Sequence, residues 1–156
     1  MPYEIEKKYL VKKLPKDLNE YSKVEIAQGY VDYMSKDYNF RLRNKGNKYF
    51  KTYKKGSGLV REEIENEISK EEFEKFWPDT QDRRVEKTRY LIPYSEFTVE
   101  LDIFQGKLKG LIMAEVEFKS EKEAHSFIPP DWFGDDVTDN PGYTNHSMAI
   151  NGLPRD

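Results

Sequence analysis

The chain has 156 residues, 35% of them charged and 37% hydrophobic, and 26 basic against 29 acidic residues leave a net charge of −3. This length fits one domain, residues 1–156, and the balance of charge lacks the basic excess that is typical of nucleic-acid binding. The absence of cysteine excludes disulfides, zinc–thiolate sites and thiol nucleophiles. Because the sequence shows no leader peptide and no long apolar run, we expect a soluble cytoplasmic protein.

Eight segments have the composition and alternation of β-strands. In chain order, the predicted strands are Tyr3–Val11, Val24–Tyr33, Asn39–Arg43, Lys48–Tyr53, Arg61–Ile68, Arg84–Ile92, Phe97–Phe104 and Leu111–Lys119. Short polar segments that contain glycine follow the third and fourth strands, at Asn44–Asn47 and Lys55–Gly58, and are typical of hairpin loops. We therefore expect strands that are neighbours in sequence to pair antiparallel.

Helices are predicted at two capping boxes, where Ser69 and Ser120 are each followed three residues later by a glutamate. The tail, residues 131–156, is rich in Asp, Asn, Gly and Pro and carries scattered apolar side chains. We expect this tail to pack on the sheet structure or to plug one end of it, with Asn145 capping a short helix.

Six segments carry charged residues at every second position. They are Glu4-x-Glu6-x-Lys8, Arg41-x-Arg43, Arg61-x-Glu63-x-Glu65-x-Glu67, Lys87-x-Arg89, Glu100-x-Asp102 and Glu115-x-Glu117-x-Lys119. A period of two is the side-chain period of a strand, so each set projects from one face. A solvated sheet face also alternates polar and apolar residues. Such a face usually mixes in uncharged polar residues, however, and like charges two residues apart repel each other.

Cations and a polyanion bound inside a closed barrel would explain why both signs share one face. The predicted fold is therefore α+β, mainly β: a closed eight-stranded antiparallel β-barrel, or tunnel, with a charged interior and a few flanking helices.

The ordered set of charges resembles the CYTH superfamily of triphosphate tunnel metalloenzymes. The opening Glu-x-Glu-x-Lys motif is weak alone, but Lys54 and the later motifs follow in order along the whole chain. The stretch Arg83–Tyr90 and a turn at Gln28–Tyr30 resemble small bacterial members described as inorganic triphosphatases. The resemblance implies a tunnel that binds a linear triphosphate group with Mg²⁺ or Mn²⁺ and hydrolyses it.

Two sets of site residues follow from this chemistry. Mg²⁺ and Mn²⁺ prefer hard oxygen ligands, and the residues that match the family's metal positions are Glu4, Glu6, Glu115 and Glu117. A second metal or the attacking water would be held by Glu63, Glu65 or Asp102. Arginine and lysine stabilise charge on phosphoryl oxygens, and the candidates are Lys8, Arg41, Arg43, Lys54, Arg61, Lys87 and Arg89. Lys87 also belongs to the predicted catalytic residues.

Three functions are compatible with these residues. Hydrolysis of inorganic triphosphate to pyrophosphate and phosphate is favoured, because no segment resembles an adenine or thiazole pocket. The second is an enzyme acting on nucleoside or thiamine triphosphate, including adenylate cyclase. The third, a non-catalytic polyphosphate-binding module, is disfavoured because carboxylates would repel a polyanion without bound metal.

We expect no nucleic-acid or membrane partner, and the sequence is compatible with a homodimer. The isolated His125 and His146 are interpreted as surface or capping residues.

Overall fold

The structure is a computed structural model that describes residues 3–31, 38–56 and 58–154. Within them, nine strands form: β1 (Tyr3–Val11), β2 (Ser22–Val31), β3 (Tyr38–Lys45), β4 (Lys48–Lys55), β5 (Val60–Ile68), β6 (Arg84–Tyr94), β7 (Phe97–Phe104), β8 (Ile112–Phe118) and β9 (Phe133–Asp136). The helices are α1 (Lys70–Phe76), α2 (Glu121–Ser126) and α3 (Asn145–Asn151). All eight predicted strands are present; the end of the second, at residues 32–33, lies outside the described residues. The sequence did not predict β9.

The first eight strands close into an antiparallel barrel, which confirms the predicted fold class. The order is β5-β4-β3-β2-β6-β7-β8-β1, and a further pairing of β1 with β5 closes the ring. On that side, β1 pairs with β5 over Tyr3–Ile5 and then with β9 at Tyr9 and Val11. No helix in the part of the chain that the structure describes is long and apolar enough to cross a membrane.

The predicted pairing of sequence neighbours is wrong at two places. The strand β1 lies between β5 and β8, and β2 pairs with β6, so neither β1–β2 nor β5–β6 is a hairpin in the described residues. Both connections contain helical segments: a 3₁₀ turn at Leu18–Glu20 in the first, and α1 with the turn Trp77–Thr80 in the second. After each of these segments, the next strand pairs with strands other than the one that precedes it in sequence.

The predicted turn at Gln28–Tyr30 is also wrong, because these residues continue β2 and pair with both β3 and β6. Gly29 is required there for another reason. A Cβ atom at this position would lie 2.5 Å from Thr80, so only glycine allows the turn Trp77–Thr80 to approach the strand.

Helices cover the apolar outer face of the barrel. Phe73 of α1 packs with Phe40 and Leu42, while the region of α2 contributes Ala124 and Phe127 to the largest core cluster. The predicted N-caps are present: the Ser69 and Ser120 hydroxyls accept hydrogen bonds from the third backbone N–H of their helices. The reciprocal bonds of a capping box do not form among the described residues, because the Glu72 carboxylate contacts Lys51 and that of Glu123 accepts from the Lys119 backbone N–H. These caps satisfy donors that a helix otherwise leaves unpaired.

One end of the barrel is filled by apolar side chains. Val85, Phe104 and Met113 share the inward parity of the charged positions on their strands, and they cluster with Met148 and Ala149 of α3. Thr144 caps α3, since its Oγ1 accepts a hydrogen bond of 3.0 Å from the backbone N–H of Ser147. The prediction that Asn145 is the cap is therefore wrong, and Asn145 is instead the first residue of the helix.

Candidate active site

The charged faces of the strands converge on two adjoining cavities inside the barrel. The deep cavity lies beside α3 and is lined by Glu6, Lys8, Tyr30, Asn39, Arg41, Arg43, Lys54, Arg61, Lys87, Arg89, Glu115, Asn145 and His146. The mouth cavity is lined by Glu4, Glu6, Arg41, Arg43, Lys45, Lys54, Glu63, Glu65, Arg89, Glu100, Glu115 and Glu117. Every predicted site residue except Asp102 lines one or both cavities. The tunnel is therefore most basic beside α3 and most acidic at the mouth.

The deep cavity contains cations that no described residue neutralises. It is lined by seven basic and two acidic residues. Arg61 is 6% exposed, and within the described residues its side chain makes no hydrogen bond or ion pair. The Nε of Arg43 donates to the amide oxygen of Gln28 at 3.1 Å, and burial followed by the nearby Arg41 lowers the pKa of Arg43 to about 10. Burying a cation without a partner lowers the free energy of unfolding unless a bound anion neutralises it.

A second group of basic residues is fully paired. The two carboxylate oxygens of Asp102 accept from Arg89 Nε at 2.8 Å and Nη2 at 3.0 Å, and Lys87 Nζ lies 2.8 Å from Oδ2. Burial opposes ionisation of Asp102, but Arg89 and Lys87 hold its pKa below the usual range. Burial lowers the pKa of Lys87 to about 8, although Asp102 acts in the opposite direction. This arrangement differs from the expected role of Asp102 at a metal or a water.

The mouth carries an excess of carboxylates, with seven acidic against five basic lining residues. Burial and the neighbouring Glu115 raise the pKa of Glu6, and burial with the Glu63 carboxyl group raises that of Glu4. Burial and then Glu4 and Glu6 raise the pKa of Glu117. Glu115 is the exception: burial opposes its ionisation, but Lys8 and Arg89 keep its pKa well below the usual range. The carboxylates of the mouth therefore favour a bound cation.

The donor set of the mouth fits a divalent ion that is shared with a ligand. Antiparallel pairing of β1 with β8 places Glu6 opposite Glu117 and Lys8 opposite Glu115. In the described ranges, no three acidic or imidazole side chains converge closely enough to hold an ion alone. Mg²⁺ usually takes only one or two carboxylates and completes its shell with water and phosphate oxygens. These residues are compatible with that mode of binding.

Uncharged side chains of the tunnel were missed by the sequence analysis. The Thr52 hydroxyl donates to Glu65 Oε2 at 2.9 Å and receives a hydrogen bond from Arg41 Nη2 at 3.3 Å. Gln28 Nε2 donates to the Tyr30 hydroxyl at 2.9 Å. Alternation on β4 could have identified Thr52, which lies two residues before Lys54, whereas β2 presents no charged pattern that would point to Gln28 or Tyr30.

The tail contributes two further residues. Lys87 Nζ donates to Asn145 Oδ1 at 3.1 Å, and His146 lies with its ring 5.0 Å from that of Tyr30, so both reach the deep cavity. The interpretation of His146 as a surface or capping residue is wrong, whereas His125 is exposed as expected. No local pattern identifies Asn145 or His146, because their position depends on how the tail folds back.

This fold and site define a class of protein: a closed β-barrel whose charged tunnel is basic at one end and acidic at the other. The sequence matches the CYTH domain family over residues 2–136, and the chain belongs to this family. Members of the family generally depend on a divalent metal.

Relatives that are named inorganic triphosphatases align with almost the whole chain. The chain is 44% identical over 149 residues to an inorganic triphosphatase of Nitrosomonas europaea, which covers 94% of this chain and 97% of the relative. It is 36% identical over 158 aligned positions to an inorganic triphosphatase of Acetivibrio thermocellus, covering 97% and 96%. A crystal structure of an inorganic triphosphatase is similar with a TM-score of 0.73 and 41% identity, over 99% of each chain.

Proposed function

We propose that this protein hydrolyses inorganic triphosphate to pyrophosphate and phosphate, with Mg²⁺ or Mn²⁺ as cofactor. The observation that carries the proposal is the division of charge along one closed-ended tunnel, with seven basic residues around the deep cavity and seven acidic residues around the mouth. A linear polyanion requires the first group, and a cation bound to its phosphates requires the second. The names of the two relatives support this reaction.

The basic residues would bind and orient the phosphate chain. Arg61 has unused donors, Arg43 makes one hydrogen bond through Nε, and guanidinium groups match phosphate oxygens in two-point contacts. Lys8, Arg41 and Lys54 lie in the same cavity, so they can act on the same oxygens. Because negative charge is spread over phosphoryl oxygens in the transition state, fixed cations of this kind lower the barrier.

The carboxylates of the mouth would hold the metal. Glu4, Glu6, Glu115 and Glu117 are the proposed ligands, together with phosphate oxygens. A divalent ion bound there would polarise the phosphoryl group and lower the pKa of a bound water. Glu65 is held by Thr52 and Arg41, which leaves Glu63 as the carboxylate that orients the attacking water.

Lys87 is the proposed acid–base residue. Its Nζ is fixed by Asp102 and Asn145, and its pKa of about 8 keeps it mainly protonated at neutral pH, yet able to release a proton more easily than an ordinary lysine. It can therefore donate a proton or a hydrogen bond to phosphate oxygens in the deep cavity. Asp102 acts on the reaction by positioning Lys87 and Arg89.

Phosphate release from triphosphate, pyrophosphate, ATP and thiamine triphosphate tests the proposal, with Mg²⁺, with Mn²⁺ and after EDTA. We expect EDTA to abolish turnover and added metal to restore it. We also expect kcat/KM for triphosphate to exceed that for ATP by at least ~10-fold, or about 1.4 kcal/mol, because the binding groups act on phosphate rather than on a base. Full turnover without metal would contradict the cofactor assignment; ATP at parity, or a cyclic nucleotide product, would favour the nucleotide enzyme.

A further inference from the structure

Asn145 contacts Lys87 through its side-chain amide at the closed end of the tunnel. Its Oδ1 accepts the hydrogen bond from Lys87 Nζ at 3.1 Å, and the residue lines the deep cavity. Because an ammonium group only donates hydrogen bonds, the amide must turn its oxygen towards Lys87. The amide nitrogen, which only donates, is thereby directed away from Lys87.

This nitrogen has no acceptor among the described residues. Within residues 3–31, 38–56 and 58–154, Asn145 Nδ2 makes no hydrogen bond. The surrounding cavity supplies mainly donors, since seven of its thirteen lining residues are Lys or Arg. A ligand that brings acceptor oxygens is therefore the partner that suits the two N–H groups.

The position of Asn145 is fixed by the packing of its helix. Met148 and Ala149 are fully buried against Val85, Phe104 and Met113, and the Thr144 hydroxyl caps the first turn. Lys107 Nζ donates to the carbonyl oxygen of Ala149 and holds the same helix. A donor carried by a packed helix keeps its position before the ligand arrives, which is the condition for specific binding.

We propose that Asn145 binds the terminal phosphate of the substrate at the closed end of the tunnel: its carbonyl oxygen holds Lys87 and its amide N–H groups donate to the phosphate oxygens. This inference rests on the proposed function, and it adds a substrate-binding residue from the tail to those on the strands. It also places one of the two equivalent terminal phosphates of triphosphate beside α3.

The test compares Asn145→Asp with Asn145→Ala. Aspartate still accepts from Lys87 but offers no donor and repels phosphate, whereas alanine removes both contacts without adding charge. We expect Asn145→Asp to weaken triphosphate binding at least ~10-fold relative to wild type and to be worse than Asn145→Ala. The readouts are KM with Mg²⁺ and the melting-temperature shift caused by triphosphate. Asn151→Asp, an exposed change on the same helix, is the matched control and should bind like wild type.

If Asn145→Asp binds as well as Asn145→Ala or better, Asn145 only holds Lys87 and the proposal is wrong. If the aspartate variant does not fold, Asn145→Ala decides, since wild-type affinity in that variant also overturns the proposal. The binding shift does not require turnover. A wild-type protein that binds triphosphate without hydrolysing it therefore counts against the proposed function, while unchanged affinity in the variants counts against Asn145 alone.

Discussion

The Asp102 network at the deep end of the tunnel and the carboxylates at its mouth differ in how their charges are balanced. Around Lys87 and Arg89 the charges are matched, because Asp102 satisfies both cations at 2.8 to 3.0 Å. At the mouth, Glu4, Glu6 and Glu117 are raised in pKa by burial and by other carboxyl groups. The fold therefore neutralises the charges around Asp102 by itself, whereas it leaves the carboxylates of the mouth for a bound ligand to neutralise.

This difference has an energetic consequence. Removing one partner from a buried pair leaves the other charge uncompensated, which usually costs more than the pair contributed. Removing one charge from a buried group of like charges relieves repulsion instead. Substitutions at the two ends should therefore change the stability of the ligand-free protein in opposite directions, while both reduce activity.

The largest effect is expected at the network of Asp102, Lys87 and Arg89. Asp102→Asn leaves Lys87 and Arg89 without their shared carboxylate and should lower the free energy of unfolding by about 3–5 kcal/mol. Because ~1 kcal/mol shifts Tm by about 2–4 °C in a chain of this size, Tm should fall by roughly 10 °C. Thermal unfolding of the ligand-free protein measures this, with the exposed Asp131→Asn as control. An Asp102→Asn variant as stable as the control would mean that the network does not support the fold.

The next effect concerns rate and the direction in which a glutamate points. Glu4→Ala or Glu117→Ala removes a proposed metal ligand and should cut the rate of triphosphate hydrolysis by well over ~100-fold, which is typical for loss of a key electrostatic group. Glu62→Ala serves as the control, because Glu62 lies next to Glu63 on β5 and has the opposite parity. Steady-state rates of the three variants test this assignment. Equal losses of rate in Glu62→Ala and Glu4→Ala would contradict the prediction that only Glu4 faces the tunnel.

The sequence predicted much of this architecture because a strand repeats every two residues. That period identified thirteen of the fourteen predicted site residues, all except Lys54, which came from the family resemblance. Twelve of the thirteen line one or both cavities, and Asp102 does not. Charge at these positions also distinguished the inside of a tunnel from an ordinary core. The N-caps at Ser69 and Ser120 were predictable since they depend on local contacts only.

The features that the sequence did not reveal depend on long-range contacts. No local signal shows that β2 pairs with β6 or that β9 extends the edge beside β1. Asp102 has the parity of a ligand, but its partners become visible only when β6 and β7 lie side by side. Asn145 enters the cavity because α3 packs on the apolar end of the barrel, and its own neighbours in sequence give no indication of this.

A third, smaller effect tests the unpaired cation of the deep cavity. Triphosphate with metal should raise the Tm of the wild-type protein by mass action, about 2.7 kcal/mol at 100 times Kd. Arg61→Ala should weaken binding ~10-fold or more, which removes about 1.4 kcal/mol of that gain. Its ligand-free Tm should not fall as that of Asp102→Asn does, since Arg61 has no protein partner in the described residues to leave uncompensated. The exposed Lys109→Ala is the control, and an unchanged ligand shift in Arg61→Ala would exclude Arg61 from the site.

The smallest effect, and the one opposite in sign, is expected at the mouth. The pKa of Glu6 is raised above its ordinary value of about 4.3 by burial and by Glu115. The folded state therefore binds this proton more tightly than the unfolded state, and stability is lost as pH rises through the raised pKa. Glu6→Gln removes the charge and leaves Lys8 beside Glu115.

Ligand-free Glu6→Gln should consequently melt ~2–4 °C above wild type at neutral pH, the shift that ~1 kcal/mol produces. The difference should shrink as pH falls and vanish below about pH 3, more than a unit under the ordinary pKa of about 4.3, where wild-type Glu6 is protonated in both states. Thermal unfolding across this pH range, without metal or phosphate, measures it. A lower Tm at neutral pH would show that the Lys8–Glu6 contact of 3.8 Å outweighs repulsion among the carboxylates. The mouth would then be stabilised by its own charges, as the network of Asp102, Lys87 and Arg89 is.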